Sequence, residues 1–189
     1  MKKIVYILTS ILLLTSPQAS AVVEINKYST QQTFGSVIVR CPIEKTWNTV
    51  DGVKSWFEAV LGDSLVSIKV TGGERELQST VDYEVNTGTE QKNATGRNQE
   101  RLIALSDFNY QLVTTFNHST LPLMPWTTEV SLEKVTYIDS PVNYTLIKFS
   151  QFGNINVPPE MQEPIKAKIQ KLFELVFAPS LKEKLDDCI

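Results

Sequence analysis

The hydrophobic positions change period several times along the chain, and each change marks an element. Thr33 to Arg40 is rich in strand formers and stops at Cys41 and Pro42, where proline lacks a donor but suits the first turn of a helix. Ile43, Trp47 and Val50 then recur at helical spacing, and Val53, Trp56, Phe57 and Val60 do so again after Asp51 and Gly52. Two short helices are therefore expected after the first strand. Ser64 to Val70 reads as a strand closed by Gly72 and Gly73. In the next strand, Ser79, Val81, Tyr83 and Val85 alternate with Thr80, Asp82 and Glu84, which gives it one wet face.

Asn86 to Gly96 is polar and reads as a hairpin loop, after which Arg97 to Leu105 and Tyr110 to Phe116 are strands. Asn117 to Pro125 is expected as a longer connection that carries His118. Trp126, Thr128, Val130 and Leu132 alternate with Glu129, Ser131 and Glu133, and Tyr144 to Phe152 supplies the last of about seven strands. The period then becomes helical. Met161, Ile165, Ile169, Leu172, Phe173, Val176 and Phe177 form a broad apolar stripe opposite Lys166, Lys168, Gln170 and Lys171. Pro179 is expected to interrupt this long helix, with Ser180 to Glu183 as a capping box for a restarted section.

A sheet with one apolar face must cover it, and the C-terminal helix is the only element large enough. The architecture expected is α+β, a curved antiparallel sheet wrapped around one long helix. Such a curved sheet leaves room for an apolar pocket between the two.

The N-terminal segment is set apart from this pattern. Lys2 and Lys3, the apolar run from Ile4 to Leu14 and the small residues Ala19, Ser20 and Ala21 read as an export signal over residues 1–21. The run is shorter than the roughly 18 to 20 residues of a spanning helix, so no stable membrane anchor is expected after cleavage. Residues 22–189 are expected to form a single domain, exported to a periplasmic or extracellular space. The full chain has 189 residues, 18 Lys+Arg against 21 Asp+Glu, two Cys and one His. Net acidity without a dense basic stripe argues against nucleic acid as a partner. One His and two Cys exclude zinc modules that need four such ligands, and there is no phosphate-binding glycine loop and no CxxC. No metal or cofactor is expected. Asn93, Asn117 and Asn143 begin glycosylation-like triplets, but the short Lys-Lys start is of bacterial type and the triplets are read as chance.

Cys41-Pro-Ile-Glu-Lys-Thr-Trp47, the stretch from Asp51 to Trp56, Gly72 and Gly73, Glu100-Arg-Leu-Ile-Ala-Leu-Ser-Asp107 and Phe173 to Leu185 resemble the successive landmarks of the START-like polyketide cyclase/dehydrase family. The resemblance runs from about Thr33 to Asp187. It implies the helix-grip fold shared with pollen-allergen-type proteins and plant abscisic-acid receptors, and a cavity for lipids, sterols, polyketides or similar molecules. A minority of that family carries out cofactor-free cyclisation or dehydration. By position, the resemblance puts Glu100 at a cavity-facing acid and Lys148 at an inward group of the last strand. Val81 stands where many members have an inward arginine.

The residues give two readings of Glu100 and Lys148. They form a buried polar pair, or a one-residue slip of register turns them to water; Ile147 and Phe149 are the more apolar set on the last strand. The expected pocket wall comprises Val81, Tyr83, Glu100, Leu102, Leu112, Thr114, Phe116, Trp126, Thr128 and Lys148 from the sheet and Ile169, Phe173 and Phe177 from the helix. In a helix-grip arrangement the end of the long helix rests on the short helices that begin at Cys41. With export to an oxidising compartment, this predicts a Cys41–Cys188 disulfide. The function expected is binding of a hydrophobic small molecule. Two alternatives stay open: a cyclase/dehydratase with Glu100 or His118 as general base, and an interaction protein whose cavity has collapsed into core.

Overall fold

The computed structural model describes residues 30–86, 95–120, 123–137, 143–155, 157–186 and 188. The expected leader at residues 1–21 lies outside the described residues, as do most of the polar loop after Asn86 and the Asn93 triplet.

The chain opens with β1 (Thr30–Val39), α1 (Ile43–Val50) and α2 (Val53–Leu61), followed by β2 (Leu65–Thr71), β3 (Thr80–Asn86), β4 (Thr95–Ser106), β5 (Gln111–Ser119), β6 (Leu123–Val135) and β7 (Tyr144–Ile155). Among the described residues these strands form one antiparallel sheet in the order β1-β7-β6-β5-β4-β3-β2, with β1 and β2 at its edges. The alternations read from the sequence hold. Ser79, Val81, Tyr83 and Val85 are buried on one face, as are Trp126, Thr128, Val130 and Leu132.

The two short helices form as expected. Pro42 precedes α1, its carbonyl accepting from Thr46 N at 2.9 Å, and Ile43, Thr46, Trp47 and Val50 turn one face inward. At the start of α2, Gly52 N donates to Ser55 Oγ at 3.0 Å, which occupies a donor that the helix leaves free. Gly62 ends α2 with φ +47°, and a Cβ there would approach Ser180 Oγ to 2.9 Å, so glycine also lets the terminal helix come close. Arg75, in the β2–β3 connection, pairs with Asp51 and Asp107. Asp107 also accepts from Trp47 Nε1 at 2.8 Å, and the Trp47 and Arg75 contacts hold its carboxyl below the usual range.

The C-terminal segment differs from the expected break and restart. Its helical path is continuous through α3 (Pro159–Leu172), a π-helical turn (Phe173–Phe177) and α4 (Ala178–Leu185), and no side chain caps α4. Within the wide turn Ala178 N bonds to Phe173 O. Pro179 follows without an N–H to donate, so the loosened ladder falls where a hydrogen bond is already missing. The extra residue also corrects a phase problem. Ile165, Ile169, Phe173, Phe177, Leu181 and Leu185 are spaced by four, which in a regular helix drifts by about 40° per step. The wide turn takes back part of that drift, so Phe173 faces the sheet while Leu181 and Leu185 remain fully buried.

Cys41 and Cys188 are disulfide-bonded, with Cα atoms 5.5 Å apart. Nearby, Arg40 N donates to Asp186 Oδ1 at 2.8 Å and the buried Thr145 Oγ1 donates to Cys41 O at 2.7 Å. These contacts fix the end of α4 against the start of α1.

Candidate functional site

Between sheet and helix lies a cavity of about 100 Å³. Its floor is the inward face of β3 to β7, and its roof is α2 together with the helix around the π turn. The Phe149 and Phe173 rings meet at a tilt with centroids 4.6 Å apart, and Phe173 lies 5.3 Å from Phe177, so aromatic rings close one end. Phe57 stacks on Tyr83 at 4.6 Å at another part of the wall. Gly35 on β1 admits this packing, since a Cβ there would stand 2.2 Å from the Phe149 ring.

The one charged group among the described lining residues is Glu100, which is 2% exposed. Tyr83 Oη donates to its Oε1 at 2.6 Å and Thr114 Oγ1 to its Oε2 at 2.5 Å. Burial pushes its pKa from 4.5 up to about 7, against the two hydrogen bonds that favour the ionised form. Burial, and then the Glu100 carboxyl, hold the Tyr83 hydroxyl well above the usual phenol range. Glu100 therefore changes charge near neutral pH while Tyr83 stays a donor.

Local backbone irregularity places this acid. The β4–β5 ladder shifts between Gln99 and Glu100 and again between Leu102 and Ala104. Asn117 is the residue passed over at the first shift, so Glu100 stands opposite Phe116 and both point inward.

Of the residues expected in the wall, Tyr83, Glu100, Phe116, Trp126 and Thr128 line the cavity from the sheet, and Ile169, Phe173 and Phe177 line it from the helix. Val81, Leu102 and Leu112 are buried in the surrounding core and do not border the cavity; Thr114 reaches it only through its bond to Glu100.

Two expectations are corrected. Lys148 does not meet Glu100: it lies on the outer face of β7 and pairs with Glu133, because Ile147 and Phe149 take the inward positions of the alternation. His118 is not in a connection. It is an exposed residue of β5, paired in register with Gln99, because pairing with β4 carries the strand through polar residues that propensity alone would leave as loop.

Trp56, Phe57 and Val60 from α2, Asn98 from β4, and Phe149 and Gln151 from β7 also border the cavity but were not among the expected residues. The helical spacing of the first three and the parity of Asn98 with Glu100 were visible signals. A larger and more open trough of about 620 Å³ borders Phe34, Ser36, Glu129, Ser131 and Lys148. Its wall is more polar, and it holds no buried titratable group.

Among the described residues no helix is long and apolar enough to cross a membrane, and no group of three or more His, Cys, Asp and Glu side chains is placed to hold a metal ion. No family model and no curated protein matches the chain. Solved structures do. The protein XoxI from Bacillus cereus superposes with a TM-score of 0.64 at 16% identity, over 82% of this chain and 96% of that one. The chain has the helix-grip fold. Ara h 8.0201 shares it with a TM-score of 0.56 at 16% identity, over 82% of this chain and 97% of its own. Norcoclaurine synthase from Thalictrum flavum gives 0.54 at 12%, over 84% and 92%.

Proposed function

We propose that this chain is an exported protein that binds a small, largely apolar molecule between the sheet and the C-terminal helix. The observation that carries the proposal is the partly open cavity walled by aromatic and aliphatic side chains from both layers. Export accords with the leader-like residues 1–21 and with a disulfide that needs an oxidising compartment. The cavity is smaller than the roughly 300–1,000 Å³ of sites for drug-sized molecules, so the ligand is small or enters as the aromatic wall moves. Native mass spectrometry of freshly purified protein, followed by displacement of an apolar fluorescent probe, tests this. The expected result is a retained small molecule, or probe uptake that Val176→Trp abolishes by filling the cavity. Neither retention nor uptake would favour an interaction protein with a cavity that is only core.

Glu100 supports a second reading, cofactor-free cyclisation or dehydration, because a buried carboxyl with a pKa of about 7 suits a general base at neutral pH. Under that reading Glu100→Gln keeps binding of the molecule found above and abolishes its conversion. His118, exposed on β5, supports no such role.

A further inference from the structure

We propose that the molecule held in the cavity is a small amine, with its apolar body among the aromatic rings and its protonated nitrogen on Glu100. This rests on the binding reading above and narrows it to a ligand class. Glu100 is buried and borders the cavity, and no Lys, Arg or His is among the described residues of the wall. A carboxylate has about four acceptor positions. Tyr83 and Thr114 occupy one on each oxygen, which leaves capacity on both. An ionised acid in such a space is costly unless a positive partner joins it, and a ligand ammonium supplies three donors and the missing charge.

A second observation points to a polar ligand. Trp126 is 1% exposed and borders the same cavity, and its Nε1 has no hydrogen-bond partner. A buried indole N–H left this way is rare; an ammonium cannot accept from it, so its partner is the body of the ligand, through an aromatic face or an oxygen, and not the nitrogen held by Glu100.

The charge environment is simple. Facing Glu100 are Tyr83 from β3, Thr114 from β5 and Asn98 from its own strand, while α2 and the helix at the π turn contribute apolar and aromatic side chains and Ser64 follows α2. Among the described lining residues Tyr83 is the only other titratable group, and it stays protonated.

The test compares benzylamine with benzyl alcohol, probes of nearly equal shape, by calorimetry, with the Trp126 indole N–H followed by NMR. At pH 8 the amine is expected to bind at least about tenfold more tightly than the alcohol. Between pH 6 and 8 the ionised fraction of an acid with a pKa of about 7 rises about tenfold. The amine's affinity is expected to rise by that factor, with the alcohol's constant within about twofold. Glu100→Gln is expected to abolish the preference and spare alcohol binding, and the wild-type pH series gives the same discrimination without any variant.

Equal or tighter binding of the alcohol at pH 8 overturns the proposal, as does a preference that survives Glu100→Gln. Amine binding that leaves the Trp126 resonance unmoved also overturns it, since Glu129 and Glu174 border the outer trough and offer surface carboxylates. If the alcohol enters with no preference for the amine, the ligand class is wrong and the binding reading stands. If neither probe enters, the amine proposal fails, and the binding reading falls with it only where native mass spectrometry also finds no retained molecule.

Discussion

Glu100→Gln is expected to stabilise the protein at neutral and alkaline pH and to change little near pH 5. The side chain is replaced by a neutral isostere in a site whose two hydroxyl neighbours, on Tyr83 and Thr114, can each donate or accept. The magnitude follows from the shift of Glu100 from 4.5 to about 7 on burial. At 1.36 kcal/mol per pH unit this separation amounts to about 3 kcal/mol. Between these two values the folded protein retains a proton that the unfolded chain has released, so stability falls as pH rises. The contribution is fully present below about 4.5 and lost above about 7. Urea unfolding of both proteins at pH 5, 6, 7 and 8, followed by tryptophan fluorescence, isolates Glu100, since every other group is common to the pair. The variant should gain about 3 kcal/mol on the wild type across the window, most of it between pH 5 and 8. Parallel pH profiles, or a wild type that gains on the variant as pH rises, would refute the argument that burial dominates this carboxyl.

Replacing Cys41 and Cys188 together by alanine opens a loop of 147 residues and is expected to cost up to about 5 kcal/mol in the chain-entropy model. Calorimetry would register this as a Tm lower by about 10–20 °C, and a loss under about 1 kcal/mol would contradict it. Gly35→Ala drives a methyl into the Phe149 ring and is expected to cost about 1–3 kcal/mol. Combined with Phe149→Leu the cost should be less than additive in a double-mutant cycle, and strict additivity would separate the two residues. Phe173→Ala removes a ring that is 2% exposed and in contact with Phe149 and Phe177, with an expected loss of about 3–5 kcal/mol in urea unfolding and a larger cavity.

The features legible in the sequence are those set by period. Val81, Tyr83 and Val85 turn inward together because a half-buried strand alternates, and the final helix shows itself by a stripe that no strand could carry. What was not legible depends on pairing between distant segments. Nothing local in Gln99 or Asn117 announces the ladder shift that brings Glu100 opposite Phe116. The persistence of β5 through His118 is likewise decided by β4 and not by the residues themselves. Lys148 shows the two kinds of information in conflict. A positional likeness turned it inward, whereas the alternation of Leu146, Lys148 and Ser150 against Ile147 and Phe149 turned it outward, and burial follows the alternation. The π turn has a signal in the spacing of four from Ile165 to Leu185, whereas Pro179 in the same stretch predicts a break.

The interior carries two features that work against folding, and they adjoin. A void of about 100 Å³ forfeits about 2 kcal/mol of contacts at 24 cal/mol per Å³, and the acid beside it costs about 3 kcal/mol at neutral pH. Their sum, about 5 kcal/mol, is comparable to the upper figure for the disulfide that ties α4 to the start of α1. The same void, filled with a methylene or an aromatic edge, would remove the first cost, and a neutral side chain would remove the second. That both persist in one place has a physical reason if a ligand supplies what the chain omits: bulk for the cavity, a donor for Glu100, and for Trp126 Nε1 an acceptor or aromatic face on the ligand's body. A molecule that does both binds the folded chain alone and stabilises it in proportion to its affinity. The stabilisation should therefore be greater in wild type than in Glu100→Gln whenever the molecule is cationic, and similar in the two when it is not.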